Sequence, residues 1–208
     1  VSATTSGAPA ASVLSALATS MLPDSWAILT TIGIDCSTLL EVVGCNDITS
    51  TSTGNITSDA TRGCWDPVDQ RMHFTGQGHT SGTSPMRHVV YDAATNTWLR
   101  LSSNFPTGGV QHNFGYQSCD ARGRKMYRAR FGEGYNLYVY DFANPGLGWV
   151  NLSIGSGGLD TSGVGGFTFH RDRGPTGEVI TSGRVSGTNG NLIAYRPETG
   201  GWTTLSTA

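Results

Sequence analysis

The feature that most constrains the fold of this chain is a tryptophan-containing segment that recurs three times at nearly constant spacing. Residues 98–101, 149–152 and 202–205 each begin with tryptophan, and successive tryptophans lie 51 and 53 positions apart. A short β-prone run ending in tyrosine precedes each segment; these tyrosines are Tyr91, Tyr140 and Tyr195. A period of about 50 residues indicates a fold built from repeated supersecondary units.

Each unit contains two further β-prone segments ahead of its tyrosine run. These are residues 63–66 and 71–76, 113–120 and 125–130, and 166–170 and 178–182. The sequences that join neighbouring segments carry the Asn, Pro and Gly residues typical of turns. Because 29 of 208 residues are Gly and only 13% are charged, the composition also favours short strands and tight turns. The sequence therefore predicts an all-β chain of three four-stranded antiparallel units.

Residues 90–101, with the sequence VYDAATNTWLRL, resemble the final hairpin of a kelch repeat, and the other two units resemble it more loosely. The resemblance spans about residues 63–205 and implies a kelch-like β-propeller. Its three four-stranded blades would be residues 63–103, 112–153 and 166–208, within a domain of residues 63–208. The chain departs from the family where a double glycine should end the second strand, since Gly76 and Gly78 are separated by Gln77.

The part of the chain before the repeats is expected to form an extension and one additional strand. Residues 1–22 form an N-terminal extension with helix-forming residues between positions 10 and 21, and residues 23–62 are predicted as a first outer strand at 26–29 followed by a long connecting loop. Propellers have about 4 to 8 blades, so three blades leave the ring incomplete. We expect further blades in a longer parent protein; the alternative is that another subunit supplies them.

Charge and hydropathy exclude several classes of partner. The net charge is −2, and no run of basic residues is present to neutralise phosphates or anionic lipid headgroups. No stretch approaches the roughly 20 apolar residues of a membrane span. We therefore predict no nucleic acid partner and no membrane span.

The cysteines and two short motifs bear on covalent modification. Of the four cysteines, Cys36 and Cys45 are close enough in sequence to close a local loop, and they form the candidate disulfide. Asn55 and Asn151 each begin an Asn-x-Ser/Thr triplet and are candidate glycosylation sites.

The propeller resemblance places the loop after the second strand and the loop between successive blades on one face. Loops on a rigid scaffold concentrate binding residues, and Arg and aromatic side chains suit sugars or protein surfaces. The candidate binding residues on this face are His79, Arg87, His112, Tyr135 and Arg184. The alternative is that these loops are ordinary solvated turns.

No constellation in the sequence predicts catalysis, a metal or a cofactor. His73, His79, His88 and His112 lack the close spacing of metal ligands. Galactose oxidase-like enzymes also carry kelch-like propellers, but their crosslinked tyrosine and copper-binding histidines have no match that we can identify here. Aspartates recur at predicted strand ends, where bonding to the following turn explains them; these are Asp66, Asp92, Asp120 and Asp141.

These observations together predict a non-enzymatic binding or structural assembly module of a surface, filament or virion. Its partners would be proteins or glycans, in a homo-oligomer or a larger assembly. The expected location is extracellular or at a virion or cell surface. Two alternatives stay open: a secreted carbohydrate-active propeller enzyme, whose catalytic residues lie elsewhere, and a glycan-binding lectin.

Overall fold

The computed structural model describes residues 12–28, 62–76, 87–101, 117–129, 136–152, 166–185 and 188–206. Within these residues lie the helix α1 (Val13–Ser20), a short 3-10 helix at Pro145–Leu147, and twelve strands in three four-stranded antiparallel sheets. The first sheet contains β1 (Gly63–Asp66), β2 (Arg71–Gly76), β3 (Arg87–Asp92) and β4 (Thr97–Arg100). The second contains β5 (Gln117–Asp120), β6 (Lys125–Ala129), β7 (Leu137–Asp141) and β8 (Trp149–Asn151). The third contains β9 (Phe167–His170), β10 (Glu178–Val185), β11 (Thr188–Arg196) and β12 (Gly201–Ser206). The predicted all-β class is confirmed.

Each sheet is a simple meander in which strands pair in chain order. The repeated tyrosine and tryptophan are directly opposed in the last hairpin of every sheet: Tyr91 with Trp98, Tyr140 with Trp149, and Tyr195 with Trp202. Their ring centroids lie 5.4, 5.4 and 5.5 Å apart, with interplanar angles of 51°, 50° and 55°. The three tryptophans therefore occupy equivalent positions in their sheets, which confirms the predicted repeat of four strands.

The aspartates at strand ends turn the chain, as the sequence predicts. In each case Oδ1 accepts a hydrogen bond from a backbone N–H two or three residues later, at 2.9 to 3.2 Å. These aspartates are Asp66, Asp92, Asp120 and Asp141. In three of the turns the residue before the next strand has a positive φ although it is not glycine: 53° at Gln70, 57° at Asn96 and 54° at Arg124. The Asx bond and this left-handed residue together reverse the chain within four residues.

The second sheet lies between the other two and is buried on both faces. Alternate residues of β6 point in opposite directions, so Met126 packs with Cys64 towards the first sheet, whereas Tyr127 and Ala129 pack with Phe167 towards the third. The first strands of successive sheets also contact each other, β1 with β5 and β5 with β9. The three sheets are thus stacked in series, with their first strands side by side.

A disulfide joins the first two sheets, between Cys64 in β1 and Cys119 in β5, whose Cα atoms are 5.2 Å apart. This pair is not predictable from spacing, because 55 positions separate its members and the stacking of sheets brings them together. The predicted partners Cys36 and Cys45 lie outside the described residues.

The N-terminal region differs in part from its prediction. The helix α1 begins after Ser12, whose Oγ accepts a hydrogen bond from the Ser15 backbone N–H at 3.1 Å, and it lies within the expected extension. Residues 25–28, however, form no strand, and Trp26 is 83% exposed. The described part of the chain has no helix of the length and apolarity that crossing a bilayer requires.

The two ends of the stacked sheets differ in how the strands are connected. One end, here called the turn end, carries the short reversals at residues 67–70, 93–96, 121–124, 142–148, 171–177 and 197–200. The opposite end, the loop end, is where the first strand of every sheet begins and where the connections 77–86, 102–116, 130–135 and 153–165 depart. Most of the chain between strands is therefore attached to the loop end.

Candidate functional site

The loop end is the candidate functional site, because the predicted binding positions that can be placed lie there. Arg87 is the first residue of β3 and pairs with Gly76, and Arg184 lies beside the last pair of the β10–β11 hairpin. The structure describes the backbone of these two arginines but not their side chains. His79, His112 and Tyr135 lie outside the described residues.

Of the two candidate glycosylation sites, Asn151 can be placed and Asn55 lies outside the described residues. Asn151 is exposed on β8, where its Nδ2 lies 3.4 Å from Oδ1 of Asn136. An exposed side chain on a short outer strand is compatible with modification, and the assignment stays a prediction.

A single arginine ties the three sheets together at the loop end. Arg62 precedes β1, and its guanidinium donates to the backbone carbonyls of Gln117 and Phe167, the first residues of β5 and β9. In return, the Gln117 side-chain Nε2 donates to the Arg62 carbonyl at 2.9 Å. These bonds fix the starting points of three neighbouring strands relative to one another.

A buried polar chain continues from this point into the interface between the first two sheets. The Gln117 side-chain oxygen accepts from the hydroxyl of Thr75 at 2.5 Å, and Thr75 in turn accepts from the guanidinium of Arg128. All three side chains are at most 1% exposed. Burial lowers the pKa of Arg128 to about 9, so the group still carries its charge at neutral pH. The result is a buried positive charge directly behind the loop end.

A histidine pair lies in the same interface, next to the aromatic side chains of Tyr140 and Phe142. His73 Nδ1 and His88 Nε2 are 3.0 Å apart and share a hydrogen bond. His73 stacks on Phe142 with centroids 4.2 Å apart, and His88 meets Tyr140 edge to face at 4.6 Å. Burial lowers the pKa of His73 to about 4 and that of His88 well below its usual value. Both rings are therefore neutral near pH 7, and one of them donates to the other.

The spacing of these histidines in the sequence does not predict a metal site. The structure does bring His73 and His88 together, but each directs a ring nitrogen at the other, which leaves those nitrogens unable to bind one ion. Within the described residues, no three His, Cys, Asp or Glu side chains form a group that could hold a metal.

Sequence reasoning missed the residues that support this end, namely Arg62, Thr75, Gln117 and Arg128. Each lies near or in a predicted strand, where alternation alone assigns it to a face without revealing its partner. The one available signal is Arg128, a charged residue between Tyr127 and Ala129 in a strand whose neighbours are apolar. A charge at such a position requires polar partners across the interface.

Chemically, the loop end offers a rigid platform that carries hydrogen-bond donors and positive charge. Arg62 provides a guanidinium at its surface, and the backbone of Arg87 and Arg184 places two more arginines at its edge. Guanidinium groups form forked hydrogen bonds with carboxylates and with the hydroxyls of sugars. This arrangement is suited to holding a ligand.

Comparison with known proteins gives little further identification. No protein-family model matches this chain, and no curated protein matches its sequence. Among solved structures, the chain is similar to a copper-bound fungal alcohol oxidase of the AA5 family, with 17% sequence identity and a TM-score of 0.48. The match covers 68% of this chain and 29% of the oxidase, so the chain spans less than a third of that protein's length. Nothing of the oxidase's chemistry is transferred to the present chain.

Proposed function

We propose that this chain is a non-enzymatic binding or assembly module of the kelch-like β-propeller type, which presents its loop end to a protein or glycan partner. The observation that carries the proposal is the unequal division of connections between the two ends. Tight turns close one end, whereas the long connections leave the end that Arg62 and the buried polar chain hold in place. Binding residues concentrate on loops that a rigid scaffold positions.

The propeller part of the proposal is supported by how the sheets meet. Each sheet is a four-stranded meander, and the first strands of neighbouring sheets lie side by side. In a propeller the first strands of all blades line the central axis, and each blade buries its faces against its neighbours. The double burial of the second sheet agrees with this arrangement.

The disulfide supports the proposed location outside the cell or at a virion or cell surface. Disulfides persist in oxidising compartments and are rare in the cytosol. The Cys64–Cys119 bond lies inside the interface between two sheets, where it contributes to the scaffold. A low net charge and a Ser/Thr/Gly-rich sequence agree with a secreted or assembled β-protein.

Replacement of the loop-end residues tests the function directly. One variant replaces His79, His112 and Tyr135 with Ala, and a second replaces Arg87 and Arg184 with Ala. Each is compared with the unmodified chain on a glycan array and against the proteins that co-purify with the native protein. The matched control is Val68→Ser, an exposed position in a turn-end reversal.

We expect both loop-end variants to lose at least about tenfold in affinity and the Val68 variant to bind normally. The double arginine variant loses hydrogen bonds to charged groups that contribute about 1.5–3 kcal/mol each, and the triple variant loses neutral hydrogen bonds of about 0.5–1.5 kcal/mol each. Equal binding by all variants would refute the assignment to the loop end. Reproducible hydrolase, epimerase or oxidase turnover by the chain would refute the non-enzymatic role and favour the carbohydrate-active alternative.

A further inference from the structure

The turn end contains an ion pair between the first two sheets that has no counterpart between the described residues of the second and third. Asp66 ends β1, and its carboxylate accepts two hydrogen bonds from Arg124, which precedes β6: Nε to Oδ1 at 3.0 Å and Nη2 to Oδ2 at 2.7 Å. Asp69 on the rim accepts from the same Nη2 at 2.7 Å. Although burial by itself raises the pKa of Asp66, its bonds to Arg124 and to the turn backbone hold that pKa below its usual value.

The repeat identifies which residues would make the same contact one sheet further along. Asp120 ends β5 as Asp66 ends β1, and Gly177 precedes β10 as Arg124 precedes β6. Gly177 has no side chain to reach Asp120, and its backbone excludes one. Its φ is +87°, and a Cβ there would lie 2.3 Å from the Phe169 ring. The second interface thus keeps the carboxylate and lacks the guanidinium.

Asp120 is buried and has no ion-pair partner among the residues that the structure describes. The residue is 5% exposed, and its Oδ1 accepts the Gly123 backbone N–H at 2.9 Å. Among the described residues no Lys or Arg lies within ion-pair distance of its carboxylate. Arg173, in the nearby turn, is bound to Glu178 at 2.8 Å and is not available. A buried carboxylate with one neutral partner is costly unless a cation reaches it.

A cleft leads from this carboxylate to solvent. Two adjoining cavities of about 290 and 390 Å³ share Asp120 and Arg171 in their walls. Phe169 lines the smaller cavity; Tyr127 and Glu198 line the larger. The cleft is large enough for a planar guanidinium and its alkyl stem, with an aromatic ring beside it and a second carboxylate at its rim.

We propose that this cleft binds a guanidinium group from outside the chain, presented by an arginine side chain of a partner protein or of a second copy. Asp120 takes the role that Asp66 has towards Arg124, and the carboxylate of Glu198 supplies the second acceptor, as Asp69 does. The site lies at the turn end, so it is independent of the binding function assigned to the loop end.

The geometry of the acceptors, and not net charge, defines the specificity of the site. Lys125, Arg122 and Arg171 line its walls, and Arg122 and Arg171 are exposed. The carboxylates of Asp120, Asp172 and Glu198 offset these three positive charges. A guanidinium inserted edge-on against Asp120 gains forked, directional bonds that a lysine ammonium does not form. We therefore expect discrimination of arginine from lysine.

Titration of the 208-residue chain with N-acetyl-L-arginine amide, followed by ¹H–¹⁵N NMR, tests the proposal. The Gly123 amide is the reporter, because its N–H is bonded to Asp120. The comparison probes are N-acetyl-L-lysine amide and sodium chloride at matched ionic strength. We expect saturable shifts of Gly123 with a dissociation constant of about 1–10 mM for the arginine probe, and at least about tenfold weaker binding of the lysine probe.

Two carboxylate variants separate the buried acceptor from general charge. Asp120→Asn retains the oxygen that accepts from Gly123 and should weaken arginine-probe binding at least about tenfold. Asp172→Asn removes an exposed carboxylate from the same cleft and should change affinity less than about twofold. Equal loss in both variants, or equal shifts with the lysine probe or salt, would overturn the proposal. If Asp120→Asn does not fold, the proposal is tested by comparing the affinities of the unmodified chain for the arginine probe and the lysine probe.

Arg171→Ala tests whether the chain fills its own cleft. We expect this variant to bind the arginine probe as well as or better than the unmodified chain. If the probe binds only after Arg171 is removed, Arg171 itself is the occupant and the proposal is wrong.

Sedimentation of the unmodified chain identifies the source of the guanidinium. Concentration-dependent association abolished by Asp120→Asn supports a second copy, and a monomer with measurable probe affinity supports a different protein.

Discussion

Removal of the Cys64–Cys119 disulfide should be among the most destabilising changes available in this chain. The bond closes a loop of 55 residues between the first strands of two sheets. In the chain-entropy description, a crosslink of that span removes about 14 cal/mol/K from the unfolded ensemble, which corresponds to about 4 kcal/mol at 25 °C. The native interface is otherwise retained, because both sulfurs lie among side chains that stay in place.

Urea denaturation of the double variant Cys64→Ala/Cys119→Ala measures this loss. With a urea dependence of about 2 kcal/mol/M, the midpoint should fall by about 2 M. Ser118→Ala is the matched control. It removes the hydroxyl that accepts the Phe169 backbone N–H between the second and third sheets at 2.6 Å, and should cost about 1 kcal/mol.

Peptide mapping without reduction gives the independent check. It should recover Cys64 linked to Cys119. Linkage of either residue to Cys36 or Cys45 would refute the packing of β1 against β5. A shift of the urea midpoint by less than about 0.5 M in the double variant would refute the stabilisation assigned to the disulfide.

Three further predictions concern single positions. His73 has a pKa of about 4 when folded and about 6.5 when unfolded. Between these two pH values the unfolded chain binds more protons than the folded chain. The stability of the fold should therefore decrease as the pH drops below 6.5. At pH 5 the loss from His73 is about 2 kcal/mol, measured as the difference in pH dependence between the unmodified chain and His73→Phe. Arg124→Leu leaves a buried carboxylate unpaired and should cost about 3 kcal/mol in urea denaturation, against about 1 kcal/mol for Arg71→Leu, whose pair is more exposed. Gly177→Ala should lower stability by about 2 kcal/mol or more, whereas Gly146→Ala, which meets nothing within 4 Å, should change thermal melting little.

The repeated architecture is predictable from the sequence because residues close together in the chain determine it. The opposed pairs Tyr91–Trp98, Tyr140–Trp149 and Tyr195–Trp202 recur at a fixed spacing, and the aspartates that begin the turns recur with them. Strands β1 and β2 have the bounds that the pattern predicts. Local patterning failed at Trp26, where an apolar β-prone run has no neighbouring strand among the described residues and the side chain stays exposed.

The contacts between sheets could not be predicted in the same way, because they join residues more than 40 positions apart. The disulfide, the Arg124–Asp66 pair and the Thr75–Gln117 hydrogen bond all depend on how one sheet is stacked on the next. A single sequence gives the face on which each residue lies but not its partner across the interface. The candidate binding residues at the loop end were predictable only as positions, and their chemistry stays a prediction.

The two interfaces of the second sheet are held by different kinds of interaction, and this difference has a functional consequence. Towards the first sheet, a disulfide, a bidentate ion pair and a buried polar chain hold the contact. Towards the third sheet, the contact among the described residues is mainly an apolar cluster, to which the hydrogen bond from the Phe169 backbone to Ser118 is added. Apolar packing is non-directional and supplies no cation for Asp120 from the described residues, whereas Arg124 pairs with Asp66 at the first interface. Within the part of the chain that the structure describes, the second interface is therefore the one whose buried carboxylate has no ion-pair partner, and it is there that an external guanidinium gains most by binding.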